Sequence, residues 1–157
     1  MSLQLTCCMT QISLRPATRD DYDFLWWLHR ATMRPYVEET WGWDEQWQAK
    51  YFHDHFDPIT REIVECDGVP VGCISVERRE RCIFLAAIEI APDYQSREIG
   101  TELIRDLLNE ADGRGVPVEL QVLQVNPARR LYERLGFAVI GETETHYIMR
   151  WSPESTV

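Results

Sequence analysis

The chain has 157 residues, of which 45% are hydrophobic and 27% are charged, so its length and composition suit one globular domain with its own core. Its formal net charge of −10 argues against a nucleic-acid partner, because such proteins contact phosphates with a basic face. The sequence contains no apolar run of the roughly 20 residues that a membrane-spanning helix needs, so we expect no membrane partner.

The N-terminal residues 1–11 lack a basic start and an apolar segment, and we expect a disordered lead-in without a signal peptide. The five cysteines include a vicinal pair, Cys7 and Cys8, and show no C-x-x-C spacing, which fits neither a disulfide framework nor a zinc site. We therefore expect free thiols, a cytoplasmic location, no metal ion, and a single domain over residues 12–152.

The first third of the chain predicts one strand and two helices. The segment ISLRPAT alternates and predicts a strand that ends near Pro16. Thr18 or Asp20 can cap a helix over DYDFLWWLHRATM. A loop containing Gly42 is expected to follow, with a second helix starting near Asp44.

The middle of the chain predicts two β-hairpins. The first joins REIVEC to VPVGCISVE through the turn pair Asp67-Gly68, and the second turns near Arg79 and Glu80 into RCIFLAAIEI. The last of these strands is apolar on both faces, which predicts a central strand covered by helices on both sides. Its predicted faces are Cys82, Phe84, Ala86 and Ile88 on one side and Ile83, Leu85 and Ala87 on the other.

The next segment predicts a helix that begins near Gly100 and ends at Gly113. The strand VPVELQVL follows, so strand, helix and strand form a parallel pair with a right-handed connection. The apolar stripe of the helix comprises Leu103, Ile104, Leu107, Leu108 and Ala111.

The C-terminal part predicts one more helix and one more strand. In NPARRLYERLGF, Asn126 can cap the helix, Pro127 suits its first position, and Gly136 ends it. The segment FAVIGETETHYIMRW completes the sheet with a bend near Gly141. The predicted order is β-α-α-β-β-β-α-β-α-β, a mixed α/β sheet in one domain.

The helix start around Gly100 also predicts an anion site. The first turn of a helix leaves backbone N–H groups unpaired, and these groups bind phosphate without lysines. An acidic protein can therefore hold a phosphate-bearing ligand through its main chain.

Two motifs resemble those of the GNAT family of N-acetyltransferases. IEIAPDYQSREIGTELI is similar to the acetyl-CoA motif, whose pattern is Gln/Arg-x-x-Gly-x-Gly/Ala, and NPARRLYERLGF is similar to the second motif, with its Ala-x-x-Leu-Tyr-x-x-Leu-Gly-Phe core. The resemblance spans about Ile12 to Trp151. It implies the mixed-sheet acyl-CoA N-acyltransferase fold with a central parallel strand pair. It also implies an enzyme that transfers acetyl from acetyl-CoA to a primary amine of a small molecule or peptide, by direct attack in a ternary complex.

The resemblance assigns the coenzyme diphosphate to the helix start and the pantetheine arm to a gap between the parallel strands. Val122 and Leu123 would line the far side of this gap. Glu98 stands where the family has its first glycine, so its carboxylate points either out to solvent or in toward the phosphates. The coenzyme-binding residues implied by the resemblance are Ile88, Ile90, Gln95, Arg97, Glu98, Ile99, Gly100, Thr101, Asn126 and Arg129.

Two residues are candidates for the chemistry of acetyl transfer. Tyr132 matches the tyrosine of the second motif and would act as the acid for the leaving thiolate; the alternative is an aromatic core residue packed on Ala128. Glu89 is the lone charge in an apolar strand and would act as the base; the alternative is a glutamate that reaches solvent or pairs with an arginine.

The acceptor wall is predicted around the first two helices, where aromatic rings and carboxylates would suit a cationic amine. Its candidates are Glu38, Trp41, Trp43 and the distant His146. The alternatives are a solvated acidic face whose tryptophans anchor the helix on the core, and a structural role for the histidine. Two further functions stay open: a catalytically inactive coenzyme-A-binding or sensor module, and a homodimeric interaction scaffold.

Overall fold

The computed structural model describes residues 11–154, which form one seven-stranded sheet and four α-helices. The strands are β1 (Ile12–Pro16), β2 (Glu62–Cys66), β3 (Val69–Arg78), β4 (Ile83–Ile90), β5 (Val118–Leu123), β6 (Ala138–Glu142) and β7 (His146–Trp151). The helices are α1 (Tyr22–Trp41), α2 (Glu45–Asp54), α3 (Ile99–Arg114) and α4 (Ala128–Arg134).

The sheet has the strand order β1-β2-β3-β4-β5-β7-β6. Strands β4 and β5 are parallel, and every other neighbouring pair is antiparallel. The predicted mixed α/β fold with a central parallel pair is therefore confirmed. One apolar cluster lies between the sheet and α3, and a second lies between the sheet and the α1–α2 pair.

The predicted last strand is in fact a hairpin of two strands, β6 and β7. Gly141 lies at a bulge within β6 and does not make the turn. The turn forms at Thr143, whose hydroxyl accepts a hydrogen bond from the His146 amide at 2.9 Å. The prediction of a single bent strand was wrong, because the polar segment ETET forms a turn through its side-chain hydrogen bonds.

Helix α1 is longer than the sequence predicted. It continues through Pro35 to Trp41, and only Gly42, at φ +85°, ends it. A proline inside a helix costs about 3 kcal/mol, and Val37, buried on the far side of it, supplies packing that offsets this cost. The prediction for α2 is confirmed, since Asp44 caps it by accepting a hydrogen bond from Trp47 N at 3.0 Å.

Helix α3 buries all the residues of its predicted apolar stripe. It ends at Gly115 rather than at the predicted Gly113. Gly115 adopts the left-handed conformation, with φ at +70°, and its N–H bonds to the Ala111 and Asp112 carbonyls. Gly113 stays helical, so the position of the stop is set by the residue that reverses φ.

A bulge in β4 changes which side chains share a face. Val76 pairs with Leu85 and Ser75 pairs with Ala87, so Ala86 is an extra residue without a partner in β3. A bulge of this kind shifts the alternation of side chains by one position. Ala86 is exposed, so the predicted burial of both faces of β4 is wrong at this residue.

The bulge places Ile88 with Ile83 and Leu85 against the α3 cluster, whereas the prediction grouped it with Phe84. The side chain of Glu89 is then directed to the α1 side, where it contacts His29. One unpaired residue thus decides that the only charged side chain of β4 lies under α1.

The described part of the chain begins one residue earlier than the predicted domain. Gln11 and Asp67 exchange two hydrogen bonds, from Gln11 N to Asp67 Oδ1 at 3.0 Å and from Asp67 N to Gln11 O at 2.9 Å. Residues 1–10 of the predicted lead-in, with Cys7 and Cys8, lie outside the described residues. Over residues 11–154, no helix combines the length and the apolar character that crossing a bilayer requires.

Candidate active site

Strands β4 and β5 pair only at their beginnings. The paired residues are Ile83 with Val118, Phe84 with Glu119, and Leu85 with Leu120. Beyond these pairs a cavity of about 340 Å³ opens between residues 85–89 and 120–123, and we call it the strand gap. Main-chain groups of β4 that would otherwise pair with β5 therefore face an open space.

A second cavity of about 480 Å³ lies at the start of α3, and we call it the helix-start cavity. It shares Ile88, Glu89, Asn126 and Tyr132 with the strand gap, so the two form a continuous groove. An elongated ligand can therefore run from the start of α3 into the strand gap.

The first turn of α3 has free backbone donors, and its Gly100 lines the helix-start cavity. Within residues 11–154, the amide N–H groups of Ile99, Gly100 and Thr101 have no hydrogen-bond acceptor, and the first bond of α3 runs from Glu102 N to Glu98 O at 3.0 Å. Such donors and the helix dipole together attract an anion.

Gly100 is not required by the fold. Its φ lies outside the left-handed region, and an added Cβ would meet only Ile90 Cγ1, at 4.0 Å. The missing side chain therefore keeps the wall of the helix-start cavity open and leaves room for a ligand to approach the main chain.

Glu98 adopts the left-handed conformation, with φ at +63°, immediately before α3. Glycine is the residue best suited to this conformation, which explains the glycine of the resembling motif at this position. The Glu98 side chain is exposed and does not line the helix-start cavity or the strand gap. Of the two orientations open from the sequence, the structure has the outward one.

Gln95 and Arg97 hold the loop that leads into α3. The Gln95 amide Nε2 donates a hydrogen bond to the Ile90 carbonyl at 2.8 Å, which fastens the loop to the end of β4. The Arg97 guanidinium lies 4.8 Å from the centroid of the Tyr94 ring and is exposed at the edge of the site. Ser96 lines the helix-start cavity between them.

Tyr132 lies where the two cavities meet. Its ring packs edge-on against Phe137, with centroids 5.8 Å apart, and the residue is 8% exposed. Burial raises the pKa of its hydroxyl to about 12, because the phenolate would lose hydration. Asn126 lies beside it and caps α4 by accepting a hydrogen bond from Ala128 N at 2.9 Å. Tyr132 is thus both a core residue and a neutral hydroxyl at the groove.

Glu89 contacts a histidine from α1 that sequence analysis did not select. Its Oε2 lies 3.3 Å from His29 Nδ1, and Glu89 is 9% exposed. The alternatives of a solvent-exposed glutamate or an arginine partner are therefore wrong. A usable signal was present: His29 follows the buried Leu25 by four residues, and this spacing places it on the inner face of α1.

A third cavity, of about 640 Å³, lies between α1 and α2, and we call it the aromatic cavity. It adjoins the strand gap, with which it shares His29, Val37, Trp41 and Arg61. Half of its other lining residues are aromatic, namely Trp47, Tyr51, Phe52 and Phe56. A side chain or ring that enters it would be surrounded by apolar faces.

A match to a family model shows which protein family the chain belongs to. The model of the acetyltransferase (GNAT) family matches residues 20–137. The chain belongs to the GNAT family. An uncharacterized N-acetyltransferase of Methanocaldococcus jannaschii is 31% identical to it over 141 residues, covering 80% of this chain. The chain spans 60% of the length of that relative.

Solved structures of GNAT proteins share the fold. The PaiA N-acetyltransferase of Thermoplasma acidophilum, in complex with coenzyme A, matches 90% of this chain and 99% of its own with a TM-score of 0.74 at 16% identity. Naa50 of Arabidopsis thaliana, in complex with a bisubstrate analogue, matches 90% of this chain and 98% of its own with a TM-score of 0.60 at 16% identity.

The predicted acceptor residues of this GNAT domain fall into two groups. Trp41 lines both the aromatic cavity and the strand gap, and His146 lines the strand gap with its ring 6.2 Å from that of Trp41. Trp43 instead packs against Trp26 and His29, outside the linings of the three cavities. Trp43 therefore has the structural role that was the alternative for the tryptophans.

Three acidic residues around the first two helices differ in position: Asp44 lines the aromatic cavity while its Oδ1 caps α2, and Glu38 and Glu45 lie against arginines. Glu38 is exposed on α1, 4.0 Å from Arg34. Glu45 lies within ion-pair distance of Arg30 and Arg34 and accepts a hydrogen bond from Trp43 Nε1. Of these three carboxylates, only that of Asp44 belongs to the lining of a cavity, so the predicted acidic wall is reduced to one residue.

The predicted coenzyme residue Arg129 lies elsewhere, and a basic residue that lines the helix-start cavity was missed. The Arg129 guanidinium stacks on Tyr147 at 4.7 Å and approaches Glu133, outside the groove. Arg134, at the end of α4, lines the helix-start cavity instead. Over residues 11–154, no three His, Cys, Asp or Glu side chains cluster in a way that would hold a metal ion.

Proposed function

We propose that this GNAT protein is an N-acetyltransferase that moves the acetyl group of acetyl-CoA to a primary amine of a small molecule or peptide. The observation that carries the proposal is the continuous groove from the free N–H groups of α3 to the strand gap beside Tyr132. The complex of the PaiA relative with coenzyme A supports the choice of donor.

The groove suits the diphosphate, the pantetheine arm and the thioester of acetyl-CoA. The amides of Ile99, Gly100 and Thr101 would bind the diphosphate, since they are the unpaired donors of the helix dipole. The main chain of Ile88 and Ile90 would pair with the pantetheine arm along the open edge of β4. The thioester would then lie in the strand gap, where a main-chain amide of β4 can polarise its carbonyl.

The acceptor amine must lose a proton before it attacks. The pKa of an alkylamine is near 10, about three units above neutral pH, so forming its free base at pH 7 costs about 4 kcal/mol. The His29–Glu89 pair supplies the proton acceptor. In the tautomer that donates its Nδ1–H to the Glu89 carboxylate, Nε2 of His29 would keep the lone pair that takes the proton. Glu89, predicted as the base, would thus orient the base.

Tyr132 would stabilise the leaving thiolate by a hydrogen bond. With a pKa of about 12, its hydroxyl stays protonated at neutral pH. A simple thiol has a pKa near 8.5, so complete transfer of the Tyr132 proton to the thiolate would cost about 5 kcal/mol. The proton that ends on the thiol therefore comes from the amine or from solvent, and direct attack in a ternary complex needs no covalent enzyme intermediate.

Release of free thiol with a panel of amines tests the activity. The panel should contain a polyamine, a lysine peptide, a peptide with a free N-terminus and free amino acids, and one of these should release thiol with acetyl-CoA. A melting temperature that rises with acetyl-CoA, without thiol release from any amine, would instead identify an inactive coenzyme-binding module. No rise at all would leave an interaction scaffold, for which the exposed Trp27 and Trp47 supply an apolar surface and a homodimer is the simplest form.

The cysteines support the predicted cytoplasmic location. Cys66, Cys73 and Cys82 are all free thiols in the fold. Free thiols persist in a reducing compartment.

A further inference from the structure

Arg61 is a cationic side chain at the meeting point of two cavities, and it has no anionic partner in the part of the chain that the structure describes. It lies just before β2, is half-buried, and lines both the aromatic cavity and the strand gap. Within residues 11–154, its side chain makes one polar contact, from Nη1 to Cys73 Sγ at 3.8 Å, and no carboxylate lies within ion-pair distance. This is unusual in a chain with a net charge of −10.

The neighbours of Arg61 do not neutralise it. Burial raises the pKa of the Cys73 thiol to about 11, so this contact is made by a neutral thiol. The Glu89 carboxylate is already engaged with His29. The Asp44 carboxylate, which also lines the aromatic cavity, accepts a hydrogen bond from Trp47 N and is not within ion-pair distance of Arg61. A partly desolvated guanidinium with no anion is costly, and a bound carboxylate would remove this cost.

The aromatic cavity accepts a large apolar group. Its volume of about 640 Å³ exceeds what one side chain fills, and its lining includes the rings of Trp47, Tyr51, Phe52 and Phe56. On α2, the ring of Tyr51 stacks between Trp47 and His55, with centroids 5.1 and 4.0 Å apart, so this wall is ordered.

Three subsites therefore meet where the aromatic cavity joins the strand gap. An apolar group would enter the aromatic cavity, an anion would pair with Arg61, and an amine in the strand gap would approach His29 and Glu89. An α-amino acid carries these three groups on one carbon. A polyamine carries no anion that could pair with Arg61.

We propose that this site binds an α-amino acid with a large apolar side chain and presents its amine as the acetyl acceptor. The inference rests on the proposed function and specifies its acceptor. In the reaction the amine nitrogen forms a bond to the acetyl carbon and the carbon–sulfur bond breaks. One amine proton passes to His29 and then to solvent, another protonates the thiolate, and the products are an N-acetyl amino acid and free coenzyme A.

Calorimetric titration of the protein saturated with coenzyme A tests the binding. The three probes are L-phenylalanine, phenethylamine, which lacks the carboxylate, and L-alanine, which lacks the ring. We expect L-phenylalanine to bind about 30-fold more tightly than phenethylamine, the value expected for one charge-assisted pair, and more tightly than L-alanine. Equal or weaker binding of L-phenylalanine than of phenethylamine would overturn the inference.

The variant Arg61→Gln separates the carboxylate contact from the rest of the site. It should weaken L-phenylalanine about 30-fold and leave phenethylamine unchanged, because only the former has an anion for the guanidinium. The control Arg19→Gln removes an exposed arginine that lines none of the three cavities and should change neither affinity. An unchanged affinity of L-phenylalanine in Arg61→Gln would overturn the inference.

Thiol release with the same probes distinguishes this inference from the proposed function. Release with L-phenylalanine that falls in Arg61→Gln supports both. Release with other amines but not with L-phenylalanine would overturn the inference alone. Binding of L-phenylalanine that depends on Arg61, without thiol release from any amine, would overturn the proposed function and leave an amino-acid site.

Discussion

Replacing Gly100 by alanine should strengthen the fold and weaken coenzyme binding. The new Cβ would meet Ile90 Cγ1 at 4.0 Å, an ordinary contact, and the φ of Gly100 suits any residue. Alanine in a helix is favoured over glycine by up to about 1 kcal/mol, which corresponds to a rise in melting temperature of about 2–4 °C for a domain of this size.

The same methyl group would lie on the cavity side of the main chain that is proposed to bind the diphosphate. A hydrogen bond to a charged group contributes about 1.5–3 kcal/mol, so losing one such bond should raise the Kd for coenzyme A by about 10–100-fold. Calorimetric titration with coenzyme A and melting without ligand measure the two effects separately.

Gly113 supplies the matched control on the same helix. It has no heavy atom within 4 Å of an added Cβ and is also helical, so Gly113→Ala should raise the melting temperature without changing coenzyme affinity. If Gly100→Ala binds coenzyme A as tightly as the wild type, the diphosphate does not lie against the start of α3 and the reasoning fails.

Four further changes test other parts of the account. Tyr132→Phe should lower kcat about 100-fold with an unchanged Kd for coenzyme A; an unchanged kcat would restrict Tyr132 to packing. Glu89→Gln should lower kcat by a similar factor of about 100, because His29 loses its orienting acceptor, and the pH–rate profile should change with it. Glu98→Gly should stabilise the fold by about 1 kcal/mol and raise the melting temperature, because glycine adopts the left-handed conformation without the steric cost of a Cβ. Coenzyme affinity should stay constant, because the Glu98 carboxylate is outside the cavity. The Arg15 guanidinium lowers the pKa of the Asp21 carboxyl from 3.8, so this ion pair stabilises the fold at neutral pH and loses its contribution as the pH falls below about 4. The melting temperature of Asp21→Asn should therefore vary less between pH 7 and pH 3 than that of the wild type.

Local patterns in the sequence were enough to predict most elements. The stripe of α3 repeats at helical spacing, the Asp67-Gly68 pair marks its hairpin, and Asn126 caps α4, because each signal depends on neighbours along the chain. The anion site could be predicted in the same way, because the first turn of any helix leaves backbone N–H groups unpaired. These predictions needed no knowledge of tertiary contacts.

The features that sequence analysis missed depend on contacts between distant segments. Helix α1 continues through Pro35 because Val37 packs beyond it, and propensity alone predicts a break there. The bulge at Ala86 depends on the pairing of β4 with β3, and it directs Glu89 toward His29, 60 residues away.

The character of the acceptor site was missed for a similar reason. The sequence around α1 and α2 contains many carboxylates, and their number suggested an acidic wall. In the fold, Glu45 is paired with Arg30 and Arg34, whereas Arg61 enters the site from the strand side without an anion within residues 11–154. Tertiary packing decides which charged side chain stays unpaired, and this cannot be predicted from composition.

A crystal structure of the complex with coenzyme A tests the central claim most directly. The account predicts the diphosphate within hydrogen-bond distance of the amides of Ile99, Gly100 and Thr101, the pantetheine arm between β4 and β5, and the sulfur beside Tyr132. A diphosphate bound away from the start of α3, or an arm that leaves the strand gap empty, would contradict it.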